Sequence, residues 1–213
     1  MKKMQSINPT DNSIIQEYNQ HNTKQVEKII QNSFDIQKKW KNKTVKSRVN
    51  TLSPIVDDLK QNINSYAEII TLEMGKPVLE SIAEIKKCIL LCEYYFANGE
   101  DFLKSEVLAF ESKKSFIRFE PLGIIFGIMP WNFPFWQVFR FAIPSLISGN
   151  TVLLKHASNV QGTSILIDKI FNQNIDRDIF RSLVVDSNSV SNIISNKCIS
   201  AISFTGSDVA GSK

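Results

Sequence analysis

Residues 121–155, PLGIIFGIMPWNFPFWQVFRFAIPSLISGNTVLLK, decide how this chain folds. The run Ile124 to Met129 is short and apolar, the pattern of a buried strand. It ends on Pro130-Trp131-Asn132-Phe133-Pro134, a polar amide between two aromatic residues, braced by prolines. A second apolar strand, 151–155, ends on Lys155. A third, 199–204, runs into Thr205-Gly206-Ser207, with Gly211 beyond. Ligands of open α/β sheets bind at the carboxyl ends of strands. Three such ends carrying polar or glycine residues point to a pocket for a phosphorylated cofactor.

Outward from this segment, strands and helices alternate: strand 123–129, helix 135–148, strand 151–155, helix 160–172, strand 182–186, helix 189–195 and strand 199–204. That order predicts a parallel sheet with crossover helices. Upstream the period is helical. Asn22 or Thr23 can cap a helix carrying Val26, Ile29, Ile30, Phe34 and Trp40. A second stretch, 46–62, contains Pro54, which kinks or breaks it. A third runs from Ser65 to Met74 and stops at Gly75, with Pro77 beyond. A fourth covers 78–103. Short β-type segments between Glu106 and Glu120 flank a hairpin turn at Glu111-Ser112-Lys113-Lys114. The expected division is an N-terminal helical region, 1–105, and an incomplete dinucleotide-binding α/β domain, 106–213, with the hairpin near 106–120.

Composition narrows the function classes. With 213 residues, 43% hydrophobic and 22% charged, the chain reads as an ordinary globular protein. A net charge of +4 is mild, and the lysines between Lys24 and Lys46 read as a solvated helix face, so no nucleic-acid partner is expected. Three cysteines without a repeating spacing argue for a reducing compartment. Cys88 and Cys92, spaced i and i+4 without other ligand residues nearby, read as buried small residues, so no metal is expected. No signal-peptide core follows Met1-Lys2-Lys3-Met4, and no apolar run is long enough for a membrane span. The expected location is cytoplasmic.

Asn132 offers two amide donors and cannot titrate, which suits stabilising a developing oxyanion; it equally suits a turn or helix cap ahead of Pro134. Lys155 can bind ribose hydroxyls or phosphate, or be a surface lysine. Gly206-Ser207, at a strand-to-helix turn, lets the backbone approach a phosphate, although the GxGxxG fingerprint is absent.

Order and spacing bring these together. Thr71-Leu72-Glu73-Met74-Gly75-Lys76-Pro77 with Glu80 and Glu84, then Glu120-Pro121-Leu122-Gly123 through Pro134, Ser148-Gly149-Asn150-Thr151 with Lys155, and Phe204-Thr205-Gly206-Ser207 with Gly211, appear in the order of the NAD(P)-dependent aldehyde dehydrogenase superfamily. The chain resembles that superfamily along nearly its whole length. Lys155-His156-Ala157-Ser158 is most similar to bacterial succinate-semialdehyde dehydrogenases. The resemblance implies an aldehyde dehydrogenase-like α/β fold with a Rossmann-like parallel sheet. It also implies oxidation of a small aldehyde, of the succinate-semialdehyde type, to its acid, and a homo-oligomeric full-length protein.

By that resemblance Asn132 is the side-chain donor of the oxyanion hole. Trp131 lines the nicotinamide side, Lys155 contacts the adenosine ribose, and Gly206 with Ser207 lie near the phosphates. His156, Ala157 and Ser158 complete the cofactor-binding set. A glutamate commonly stands where this chain has Ser158; a serine does not repel a 2′-phosphate, so the expected cofactor is NADP or NAD, with NADP accepted. The family's cysteine nucleophile and glutamate base follow the Phe204–Ser207 turn, and Lys213 closes this sequence soon after. Cys88, Cys92, Cys198, Glu93, Glu100 and Glu106 lack the family's catalytic context. The sequence is therefore expected to be an N-terminal part, truncated before the catalytic domain and active only with a downstream, separately encoded half. The alternative is a non-catalytic dinucleotide-binding or relic fragment.

Overall fold

A computed structural model of the chain describes residues 3–109, 114–173 and 178–212. An antiparallel pair, β1 (Lys3–Ile7) and β2 (Ile14–Asn19), precedes five helices: α1 (Thr23–Trp40), α2 (Val45–Leu52), α3 (Pro54–Gln61), α4 (Ile63–Met74) and α5 (Val78–Phe102). A second antiparallel pair follows, β3 (Glu106–Ala109) with β4 (Lys114–Ile117). The remainder alternates as β5 (Ile124–Met129), α6 (Trp136–Ile147), β6 (Thr151–His156), α7 (Gln161–Asn172), β7 (Phe180–Ser182), α8 (Val190–Ile194), β8 (Ile199–Phe204) and α9 (Asp208–Gly211).

The last four strands form one parallel sheet in the order β7-β6-β5-β8. Crossovers α6 and α7 step the sheet from β5 to β6 to β7, and both pack on one face with α2 to α5. The return to β8, on the far side of β5, carries α8 across the opposite face, where α1 also lies. Reversing the direction of travel while keeping right-handed crossovers requires that change of face. The larger core, from Trp40 to Phe180, includes Phe135, Phe139 and Phe171; the smaller joins Val26 and Ile30 of α1 to Phe126, Leu153 and Ile193.

Local signals account for most boundaries. Asn22 and Gln25 form a reciprocal capping box at the start of α1. Pro54 breaks the anticipated 46–62 helix into α2 and α3, because it lacks an amide donor and occupies a first helical turn. Gly75 closes α4 at φ +83°, a left-handed conformation suited to glycine.

Two expectations need correction. The first 22 residues are not part of a purely helical region: β1 alternates, with Met4 and Ser6 buried, and Tyr18 of β2 also faces inward. An alternation of so few residues, half of them polar, is a weak signal beside the helices that follow. The strand anticipated at 182–186 pairs only over Phe180–Ser182; Leu183 to Val185 are buried beyond the ladder, with the Leu183 amide donating to the Leu154 carbonyl at 2.7 Å. The turn residues Glu111, Ser112 and Lys113 lie outside the described residues. No described helix is long and apolar enough to cross a membrane.

Gly127, at the centre of β5, faces the Phe141 ring of α6; a Cβ there would meet Phe141 Cζ at 2.1 Å. Gly127→Ala should destabilise the chain by about 1–3 kcal/mol through overpacking, and Phe141→Leu in the same chain should recover most of that loss. Urea unfolding of the single and double variants checks this, since purely additive losses would mean the two positions do not share the space.

Candidate functional site

Parallel pairing places all four strand carboxyl ends on one edge of the sheet. Ile128 is in register with Lys155 on one side and Phe204 on the other, so the ends of β6, β5 and β8 lie in one row. The strand order reverses between β5 and β8, which makes the crevice above them the topological switch point of the sheet. Trp131, Asn132 and Phe133 stand exposed after β5, Ser158 after β6, and Gly206 with Ser207 after β8. Lys155 and Ala157 are half-buried on the same edge.

Each rim segment is fastened to the scaffold. After β8, the Thr205 amide donates to the Ile128 carbonyl at 3.1 Å, and Arg140 of α6 donates to Thr205 Oγ1 at 3.0 Å. Ser207 caps α9, its hydroxyl oxygen accepting from the Ala210 amide at 3.3 Å. After β7, the Asp186 carboxylate accepts from the amides of Asn188 and Ser189 at 3.1 and 3.2 Å. Burial pulls the Lys155 pKa down, and the Asp186 carboxylate acts in the opposite direction.

The Asn132 loop is held from beneath by a buried carboxylate. Glu84 of α5 accepts from the backbone amides of Phe135 and Trp136 at 2.8 and 2.9 Å, closing the N-terminus of α6. Its other oxygen pairs with Lys76, also buried, and the Lys76 ammonium lies 4.7 Å from the centre of the Phe133 ring. A negative charge at the helix N-terminus suits the α6 dipole. The opposite end of α6 receives positive or polar donors: Arg48 Nε donates to the Ile147 carbonyl at 2.6 Å, and Trp40 Nε1 to the Leu146 carbonyl at 2.9 Å.

Glu73 of α4 repeats the device on α7. Its two oxygens accept from the amides of Gly162 and Thr163, both at 2.7 Å, from Thr163 Oγ1 at 2.8 Å, and from Ser6 Oγ. Glu73, Lys76 and Glu84 belong to a recognised sequence signature, but no role follows for them from the motif alone. A charged side chain on the inward face of an apolar helix, Glu84 beside Ile85 and Cys88, is the signal that points to buried capping.

One expected cofactor residue faces elsewhere. His156 is 1% exposed, its Nε2 lying 2.9 Å from the Pro134 carbonyl oxygen while Nδ1 accepts from the Ala157 amide at 2.9 Å. Adjacent residues on a strand point to opposite faces, so when Lys155 points to the rim His156 is buried. Both ring nitrogens are engaged by the protein, leaving none for a ligand. Burial drives its pKa down to about 4.

None of the three cysteines is at the rim. Cys88 and Cys92 are buried inside α5, where burial raises both thiol pKa values, opposite to what a nucleophile needs. Cys198 precedes β8 and so lies at the amino end of that strand. Glu93 is paired with Lys60 at 2.6 Å, Glu100 lies in the last turn of α5 and Glu106 starts β3. Among the described residues no cluster of three or more His, Cys, Asp or Glu could hold a metal.

A four-strand parallel sheet with crossover helices on both faces and a fastened loop at its switch point defines an open, doubly wound α/β protein. The pattern of the aldehyde dehydrogenase family matches residues 1–213, and the chain belongs to that family. It is 37% identical over 207 residues to a probable NADP(+) succinate-semialdehyde dehydrogenase of Synechocystis, covering 97% of this chain and 46% of the relative. A succinate semialdehyde dehydrogenase [NAD(P)+] of Escherichia coli is 39% identical over 173 residues, 81% of this chain and 37% of the relative. The succinic semialdehyde dehydrogenase of Streptococcus pyogenes, solved in complex with NADP+, superposes with a TM-score of 0.94 at 26% identity, over 98% of this chain and 46% of its own. The chain thus spans under half the length of these relatives.

Two measurements test the scaffold. Glu84→Ala strands the buried Lys76 charge and two α6 amides, and should cost about 3–5 kcal/mol; adding Lys76→Met should return part of it, read by denaturant titration. His156 is neutral when folded and has an ordinary pKa near 6.5 when unfolded, so the unfolded state takes up the proton first as pH falls. Its contribution is complete above pH 6.5 and is lost progressively toward pH 4, about 3 kcal/mol in all. His156→Gln should flatten that part of the stability-versus-pH curve; an unchanged slope would show that the ring titrates normally.

Proposed function

We propose that this chain forms the cofactor-binding side of an NAD(P)-dependent aldehyde dehydrogenase acting on a small aldehyde of the succinate-semialdehyde type. The observation that carries this reading is the single row of β6, β5 and β8 ends, which brings Lys155, the Asn132 loop and the Gly206 turn around one switch-point crevice. Lys155 would bind ribose hydroxyls, Trp131 would line the nicotinamide side, and Ser207 with the backbone of Gly206 would meet the phosphates. Ser158 is exposed two residues beyond the end of β6 and can donate to a 2′-phosphate, which supports use of NADP as well as NAD. Ala157 adds backbone contact, while His156 acts through the loop.

The dinucleotide, when bound, supplies the hydride acceptor. Asn132 would donate from its amide to the aldehyde oxygen as negative charge develops there; an amide does this without gaining or losing a proton. Among the described residues no cysteine thiol lies at this rim, and we assign the attacking thiolate and the carboxylate that activates water to a further segment, continuous or separately encoded. The complete protein is proposed to be a cytoplasmic homo-oligomer. A purely dinucleotide-binding module is the second reading, favoured by the lack of a thiol at the rim.

Calorimetry of the 213-residue chain should show NADP binding. Lys155→Ala should weaken it about 10- to 100-fold, the worth of a charge-assisted hydrogen bond. Ser158→Glu should weaken NADP more than NAD. Binding of NAD alone would overturn the NADP assignment, and no binding of either would refute the cofactor site. NADPH formation from succinate semialdehyde when the remaining segment is supplied separates the enzyme from the binding module.

A further inference from the structure

We infer that His156 is the positioning residue of this site, clamping the 130–134 loop and thereby fixing where Asn132 presents its amide. The inference rests on the proposed role of Asn132, but its geometry stands on its own. The loop leaves β5 at Met129 and enters the α6 turn at Pro134. Prolines occupy both ends, at 130 and 134, so neither end has an amide donor with which to be anchored. At Met129 and Pro134 the anchors are carbonyl oxygens, and the donors come from two consecutive residues. The Ala157 amide donates to the Met129 carbonyl at 3.0 Å, and the His156 ring reaches the Pro134 carbonyl at 2.9 Å. Residues 156 and 157 therefore hold both feet of the loop that carries Asn132.

Chemistry restricts the ring to one form. A carbonyl oxygen can only accept, so Nε2 carries the proton, and the neutral ring leaves the Nδ1 lone pair to share the one Ala157 N–H, at 2.9 Å, with the Met129 carbonyl. The neutral Nε2–H tautomer alone satisfies both contacts. Lys155, the adjacent cation, further disfavours an imidazolium. Because Lys155 immediately precedes the clamp on the same strand, the separation between the proposed ribose contact and the amide donor is set within two residues of β6. Lys76 against the Phe133 ring, and Glu84 on the Phe135 and Trp136 amides, secure the same loop on its α6 side.

The test uses nitrogen-15-labelled 213-residue chain. His156 and His21 are its two histidines, and a His21→Gln variant assigns their signals. The His156 ring should show the Nε2–H tautomer, with protected exchange at Nε2. His156→Leu removes both ring contacts and should move the Asn132 side-chain amide and Trp131 indole resonances. His156→Gln, whose amide can still donate to the Pro134 carbonyl, should return them toward the parent positions. The Nδ1–H tautomer in the parent chain, or unmoved Asn132 and Trp131 resonances in a folded His156→Leu variant, would overturn the inference. Should the leucine variant fail to fold, the parent tautomer and the glutamine variant decide: a folded glutamine variant with Asn132 still displaced also overturns it. Absence of NADP binding by the parent chain would defeat the cofactor reading and leave these resonances unaffected, so the two failures are distinguishable.

Discussion

The buried Glu84 carboxylate is the constraint on which the site depends. It joins α5 and the Lys76 turn that leads into it to the first amides of α6, 51 and 52 residues away. A carboxylate removed from water is costly unless its lone pairs are filled, and here they are filled by two amides and an ammonium. The arrangement tolerates little displacement, because moving α5 away from α6 would leave a buried charge and two orphan helix amides together. The helical layer and the sheet layer are thereby locked in register at the point where the Asn132 loop begins.

Glu73 extends the same logic to α7. Crossover helices in a parallel sheet begin near the carboxyl ends of the strands, and their N-termini are natural anion sites. In this chain the N-termini of both α6 and α7 are already occupied by the protein's own carboxylates. A phosphate cannot take either position. That leaves the β8 turn at Gly206 and Ser207 as the rim segment open to a phosphate in the proposed reading.

The parallel sheet was legible because its strands are short apolar runs punctuated by proline and glycine, and the α4 stop was legible in Gly75 itself. The N-terminal hairpin was not, since only Met4, Ser6 and Tyr18 face inward and two of those are polar. The rim positions of Asn132, Lys155 and Ser207 follow from strand ends, which sequence marks well. The direction of His156 does not, because a one-residue alternation separates a rim side chain from a buried one and both are polar. The capping roles of Glu73 and Glu84 depend on contacts 51 or more residues away in sequence, beyond the reach of any local pattern.

The two sides of the crevice are built to different standards. On one side β5 and β6 are buried along nearly their whole length, and their loops inherit that rigidity. On the other, within these 213 residues, Ile202 and Phe204 of β8 are 45% and 39% exposed. The fastening there is polar and local: Thr205 is fastened by its amide to Ile128 and by its hydroxyl to Arg140, so the β8 turn takes its position from β5 and α6. Both walls of the crevice therefore refer to the same two elements. Because α6 is in turn set by Glu84 at its start and by Arg48 and Trp40 at its end, the positions of the Asn132 loop and the β8 turn trace back to the groups that terminate one helix.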